Sequence, residues 1–250
     1  MTNNYSKSYY SEGLLEEAIQ ENQRKLEADP SNHLLRCSLA NSLLRIGKLE
    51  EAIKEYRKCI ETSPSSEYWN NLGKALLNAG KYDEAIEAFK QVLAKNNWPD
   101  SRFHLALSLR SLGKHEEALK ELDEALQRNP KYREAINEKA KILEALNRKD
   151  EALTEYKKVI ALFFAEYQAR ETEDYCYETA VLLDNNDLVD ELIRQLRQYI
   201  QKYPGFADGY YKLGQALEAK GLRNEAMMAF RRALEINPNY EIARKSFWKR

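Results

Sequence analysis

The chain has 250 residues, 32% of them charged, and its 39 basic and 40 acidic side chains leave a formal net charge of −1. That balance argues against a nucleic-acid partner, which calls for a basic face, and no apolar run approaches the roughly 18 residues that span a bilayer. The start, MTNNYSKSYYSEG, has no apolar stretch and no cleavage pattern, so no signal peptide is expected; the odd, widely spaced Cys37, Cys59 and Cys176 suit free thiols and a cytoplasmic setting.

Residues 1–12 are polar and tyrosine-rich and are expected to form a flexible segment. From residue 13 onward the apolar residues recur at spacings of three and four, as on amphipathic helices, and no stretch alternates as a strand does. A partial unit over 13–30 carries Ala18, with its leading helix truncated or absent. Six full helix pairs follow over about 33–238, beginning with HLLRCSLANSLLRIG as helix A and EEAIKEYRKCI as helix B. In the B helices one alanine recurs, at Ala52, Ala85, Ala118 and Ala152, with gaps of 33, 33 and 34. The next, Ala226, is 74 residues on; a degenerate sixth unit with Leu192 at the alanine position divides this into 40 and 34. Such a period marks a solenoid of stacked helix pairs.

The A helices carry their own small residue, at Ala40, Gly73, Ala106, Ala140, Ala180 and Gly214. Small residues at both places let the two helices approach closely, against large neighbours such as Leu76 and Phe89. Gly47, Gly80, Gly113 and Gly221 stand at the turn from A to B, where a left-handed cap is wanted. Pro30, Pro64, Pro130, Pro204 and Pro238 follow the B helices as stops, and Pro99 comes two residues late. Extra residues between Ile160 and Glu173 mean either a long fifth helix B or an early start to the next helix A. Residues 239–250 read as a capping helix that covers the last apolar face.

The units WNNLGKALLNAGKYDEAIEAFKQVL, from Trp69 to Leu93, and YYKLGQALEAKGLRNEAMMAFRRALEINP, from Tyr210 to Pro238, resemble the tetratricopeptide repeat family. The resemblance runs from about Leu14 to Pro238. It implies an all-α fold: a right-handed superhelical solenoid of antiparallel helix pairs over 13–250, closed by the C-terminal capping helix. It also implies a concave groove, lined by the A helices, that holds extended peptides or helices of partner proteins.

Nothing in the sequence has the pattern of a catalytic site. His33, His104 and His115 lie in different units without metal-ligand spacing, and no glycine-rich phosphate loop follows a strand. No cofactor and no metal are expected. Cys37 is placed on the inner stripe and Cys59 at a core alanine position.

The informative surface is the inner stripe of the A helices. Three and one positions from each small residue, it reads Asn41, Asn70, Lys74, Phe103, Leu107, Asn137, Lys141, Tyr177, Tyr211 and Gln215, with Arg110 one turn further on. Phe103, Leu107, Tyr177 and Tyr211 are expected to form an apolar floor, and the amides and cations to supply polar grips; the alternative is that the aromatics pack on one another. The carboxylate clamp of one branch of the family is not reproduced. Asn70, Lys74, Asn137 and Lys141 come in the wrong order, with Phe103 and His104 between.

The leading expectation is therefore a non-catalytic protein-interaction scaffold. Its rival is a self-assembling structural protein that oligomerises through exposed solenoid ends, above all the N-terminal end, where Leu14, Leu15 and Ile19 lack a covering helix. An RNA-binding helical repeat would need a basic groove, which the acids at Glu144, Asp174, Asp184, Asp208 and Glu218 oppose.

Overall fold

The computed structural model describes residues 4–166 and 186–248, and every element among them is helical. The residues group into two compact units, 1–135 and 136–250.

The first unit holds α1 (Asn4–Ala28), α2 (His33–Arg45), α3 (Leu49–Thr62), α4 (Ser66–Asn78), α5 (Tyr82–Leu93), α6 (Pro99–Ser111) and α7 (His115–Arg128). Each helix packs on the next, so α2–α3, α4–α5 and α6–α7 are the A–B pairs. The A helices α2, α4 and α6 also approach one another directly, more closely than α3, α5 and α7 do. The A side of this unit is thus the side on which its helices converge.

The boundary of the unit falls in α8 (Arg133–Ala145). The second unit continues with α9 (Lys149–Glu166), α10 (Asn186–Lys202), α11 (Ala207–Ala219), α12 (Arg223–Ile236) and α13 (Glu241–Trp248). Tyr156 donates from α9 to Glu144 Oε2 on α8 at 2.8 Å, α11 pairs with α12, and the short α13 packs on α12 as a cap. Residues 167–185, where the sixth helix A was expected, lie outside the described residues.

The packing follows the small-residue register. Ala52, Ala85, Ala118, Ala152 and Ala226 are at most 2% exposed, and Leu192 in the degenerate unit is equally buried. Phe89 and Phe230 fill the space beside Gly73 and Gly214 of helix A, and Tyr56 and Leu122 at the matching positions are wholly buried. Gly73 shows why that residue must be small: a Cβ built there would stand 2.6 Å from a Phe89 ring carbon.

Several local features differ from the sequence reading. The N-terminal residues are not separate from the first helix: α1 is continuous from Asn4 through Gly13 to Ala28, with no turn between a truncated helix A and a helix B. Ile19 on this helix is buried and Asn22 donates to Ser38 Oγ at 3.1 Å, which ties α1 to α2, while Leu14 stays 66% exposed. Pro99 starts a helix instead of stopping one. It occupies the first turn of α6, where its missing N–H leaves nothing unsatisfied. Helix α9 runs 18 residues, to Glu166, longer than the B helices α3, α5 and α7, while the start of the following helix A lies outside the described residues.

At the A–B turns Gly47, Gly80, Gly113 and Gly221 have φ of +73° to +81°. In the fifth pair Asn147 takes that place with φ +60°. A side chain costs free energy in this conformation, least for asparagine. Asn147→Gly is therefore expected to stabilise the second unit by under about 1 kcal/mol, seen as a small rise in melting temperature.

Candidate partner-binding site

Three helix starts set the A face of the first unit. Asn32 Oδ1 accepts from Leu35 N at 3.1 Å and caps α2, Ser65 Oγ accepts from Tyr68 N at 3.2 Å and caps α4, and Pro99 opens α6. Each cap satisfies an amide that the helix itself leaves open.

On α2, Asn41 is exposed and accepts a hydrogen bond from Tyr56 Oη at 2.5 Å. On α4, Asn70 is only 8% exposed, because its Oδ1 accepts from the buried Ser101 Oγ at 2.8 Å. This amide joins one helix pair to the next. Lys74, one turn on, is half-buried and places Nζ 2.6 Å from Asp100 Oδ2. On α6, Phe103, Leu107 and Arg110 are all half-buried. The Phe103 ring lies 5.3 Å from His104 and 5.1 Å from Tyr132.

Asp100 is the centre of this region. It faces Lys74 Nζ, His104 Nδ1 at 3.4 Å from Oδ1, and Tyr132 Oη, which donates to Oδ1 at 3.3 Å. Burial alone would raise its pKa, but the Lys74 ammonium, the His104 ring and the Tyr132 hydroxyl outweigh this and hold the carboxyl below its ordinary range. His104 moves down as well, chiefly because its ring is desolvated against Phe89. A depressed carboxylate pKa stabilises the fold above the unfolded-state pKa, and that stabilisation is lost as pH falls through the folded-state value. Asp100→Asn should thus lower the melting temperature at pH 7. The difference should shrink as pH falls through the folded-state value, where the parent carboxyl is itself protonated.

The second unit repeats part of this pattern. Tyr240 Oη donates to Asp208 Oδ1 at 2.5 Å, and Tyr240 and Tyr211 stand 5.3 Å apart. The tyrosine of NPKY and of NPNY thus reaches back 32 residues to the acid that begins the preceding helix A. Tyr211 also packs 5.7 Å from Phe230 and is 6% exposed, so its ring belongs to the interior. Asn137 and Gln215 are half-buried, and Lys141 is exposed, 3.8 Å from Glu138. Tyr177 lies outside the described residues.

Cys37 is buried, not on an exposed stripe. It lies against Cys59, whose thiol hydrogen bond, together with burial, pushes the Cys37 thiol up. Among the described residues no cluster of histidine, cysteine and acidic side chains could hold a metal ion, and no helix is long and apolar enough to cross a membrane.

A tetratricopeptide repeat model matches residues 37–102 and 103–166, and a second matches 207–240. The chain belongs to the tetratricopeptide repeat family. Proteins built from these repeats are generally non-catalytic scaffolds, and the repeat points to protein–protein interaction. Among solved structures the chain resembles MamA, residues 41 to the end, from Desulfovibrio magneticus RS-1. That pair shares 16% identity over 67% of this chain and 94% of that one, with a TM-score of 0.59. MamA from MSR-1 shares 24% identity over 65% and 93% of the two chains, with a TM-score of 0.55. The APC/C hetero-tetramer Cut9–Hcn1 contains a chain 15% identical over 94% of this chain and 46% of its own length, with a TM-score of 0.57. At these identities the likeness shows the fold alone. No curated protein matches the sequence.

Proposed function

We propose that the protein is a non-catalytic scaffold, acting in the cytoplasm, whose A-helix face in the first unit holds an extended or helical segment of a partner protein. The observation behind this reading is the surface of α6 and its neighbours. Phe103, Leu107 and Arg110 stand half-open, with Lys74 beside them and Asn41 exposed on α2. Apolar area next to cations and an amide suits a segment that carries both apolar and acidic side chains. Asn70 contributes by fixing the spacing of α4 and α6. In the second unit Asn137, Lys141 and Gln215 are proposed as polar grips, and Tyr177 and Tyr211 as their apolar support.

The experiment is a selection of displayed random peptides on the intact chain, followed by calorimetric titration of the best binder. The reading expects enrichment of acidic-apolar peptides whose affinity falls in Phe103→Ala and Arg110→Glu. Equal affinity for parent and both variants, all folded, would reject it.

A second reading, self-association through the N-terminal end, rests on the exposure of Leu14 and Leu34, each 66% open. A light-scattering mass equal to one chain, 29.2 kDa, would exclude it.

A further inference from the structure

On the B-helix side of the first unit the repeat changes chemistry in one place. Four residues before its small residue, α2 carries Arg36, α4 carries Trp69 and α6 carries Arg102. Three residues after their alanines, α3 carries Glu55, α5 carries Ala88 and α7 carries Glu121. In the outer two pairs these positions form largely buried ion pairs: Arg36–Glu55 at 2.8 Å and Arg102–Glu121 at 2.5 Å. In the middle pair tryptophan faces alanine: the charges are missing, and α5 contributes only a methyl group. A cavity of about 570 Å³ opens there between α3 and α5, its apolar wall made by Trp69, Leu72, Leu76, Ile60 and Ala88. That volume lies within the roughly 300–1,000 Å³ of sites that take ligands. Its rim carries Glu61, Asp83, Glu84 and Glu87; Glu84 pairs with Arg57 and Glu87 with Lys90, so the acids outnumber the cations two to one.

We infer that this cavity is a second docking site, which takes one large apolar side chain from a lysine- or arginine-rich segment of a partner protein. The apolar wall selects the anchor. The excess of acids on the rim selects a basic flank. The groove is open to solvent between two parallel-running helices, so a chain can lie along it with its anchor inserted.

The test uses fluorescein-labelled nine-residue peptides: one tryptophan flanked by lysines, the same tryptophan flanked by glutamates, and lysines alone. Binding is read by fluorescence anisotropy. The lysine-flanked tryptophan peptide should bind more tightly than either control by at least about tenfold. The double variant Trp69→Arg/Ala88→Glu rebuilds the ion pair of the neighbouring repeats and should close the cavity while keeping the fold, which a circular-dichroism melt checks. It should weaken this peptide by about tenfold or more. Ala88→Met, which fills the cavity without charge, should do the same and serves if the double variant misfolds. Glu61→Lys/Glu87→Lys should weaken it several-fold, and the loss should shrink in high salt. Equal binding to the parent and to the folded cavity variants, equal binding of the glutamate-flanked peptide, or no binding up to about 1 mM would overturn the inference. Phe103→Ala should leave this binding unchanged, so the two sites can fail separately.

Discussion

Phe89→Ala is expected to cost about 3–5 kcal/mol, the usual range for truncating a buried aromatic. Phe89 is wholly buried, and its ring occupies the space that Gly73 leaves open. The reverse error, Gly73→Leu, should also destabilise, by about 1–3 kcal/mol or more, since even a methyl group would overlap the ring. The two positions share one space, so their effects should not add. Gly73→Ala should be partly rescued by Phe89→Leu, which withdraws ring atoms from the overlap. Because each helix pair leans on its neighbours, the loss should reach α2–α3 and α6–α7. Urea melts of the four variants test this, and unchanged midpoints would mean that the glycine and the ring do not share the space described.

The second large effect concerns binding. Phe103→Ala and Arg110→Glu should each weaken the selected acidic-apolar peptide by about 2 kcal/mol, or roughly thirtyfold. Aromatic side chains dominate binding energy because they combine large contact area with few rotamers to freeze, and arginine because its planar guanidinium makes several hydrogen bonds at once. Phe103 is partly held already by His104 and Tyr132, so little order is lost when a partner covers it. Arg110→Glu should also slow association and reduce its salt dependence, whereas Phe103→Ala should act through dissociation.

Much of the fold could be read from spacing alone. The alanines from Ala52 to Ala226, and even the substitute Leu192, are buried as their register requires. Spacing works there because the contacts lie within one helix pair, where periodicity decides which side chains face each other. It fails where one pair reaches into the next. Tyr132 follows a proline between two units and Tyr240 stands at the start of the expected capping segment, yet each bonds an acid 32 residues earlier. The sequence reading places Asp208 among the groove acids and Phe103 and Tyr211 on the apolar floor. A returning tyrosine packs on each ring; Tyr211 also packs on Phe230 and is interior, whereas Phe103 stays half-open. Asn70 was drawn away from solvent in the same way, by Ser101 of the next helix A. The Trp69 cavity escaped because it depends on what is missing. A tryptophan at that position reads as ordinary core until the Arg–Glu pairs on either side show what its place normally holds.

The most direct test of the A-helix face as the partner surface is photo-crosslinking of the selected acidic-apolar peptide, with a diazirine at its apolar anchor, followed by mass-spectrometric mapping. The account predicts adducts on α4 and α6, around Lys74, Phe103, Leu107 and Arg110. Adducts confined to the cavity formed by Ile60 of α3, Trp69 of α4 and Ala88 of α5, or spread without preference over the chain, would contradict it.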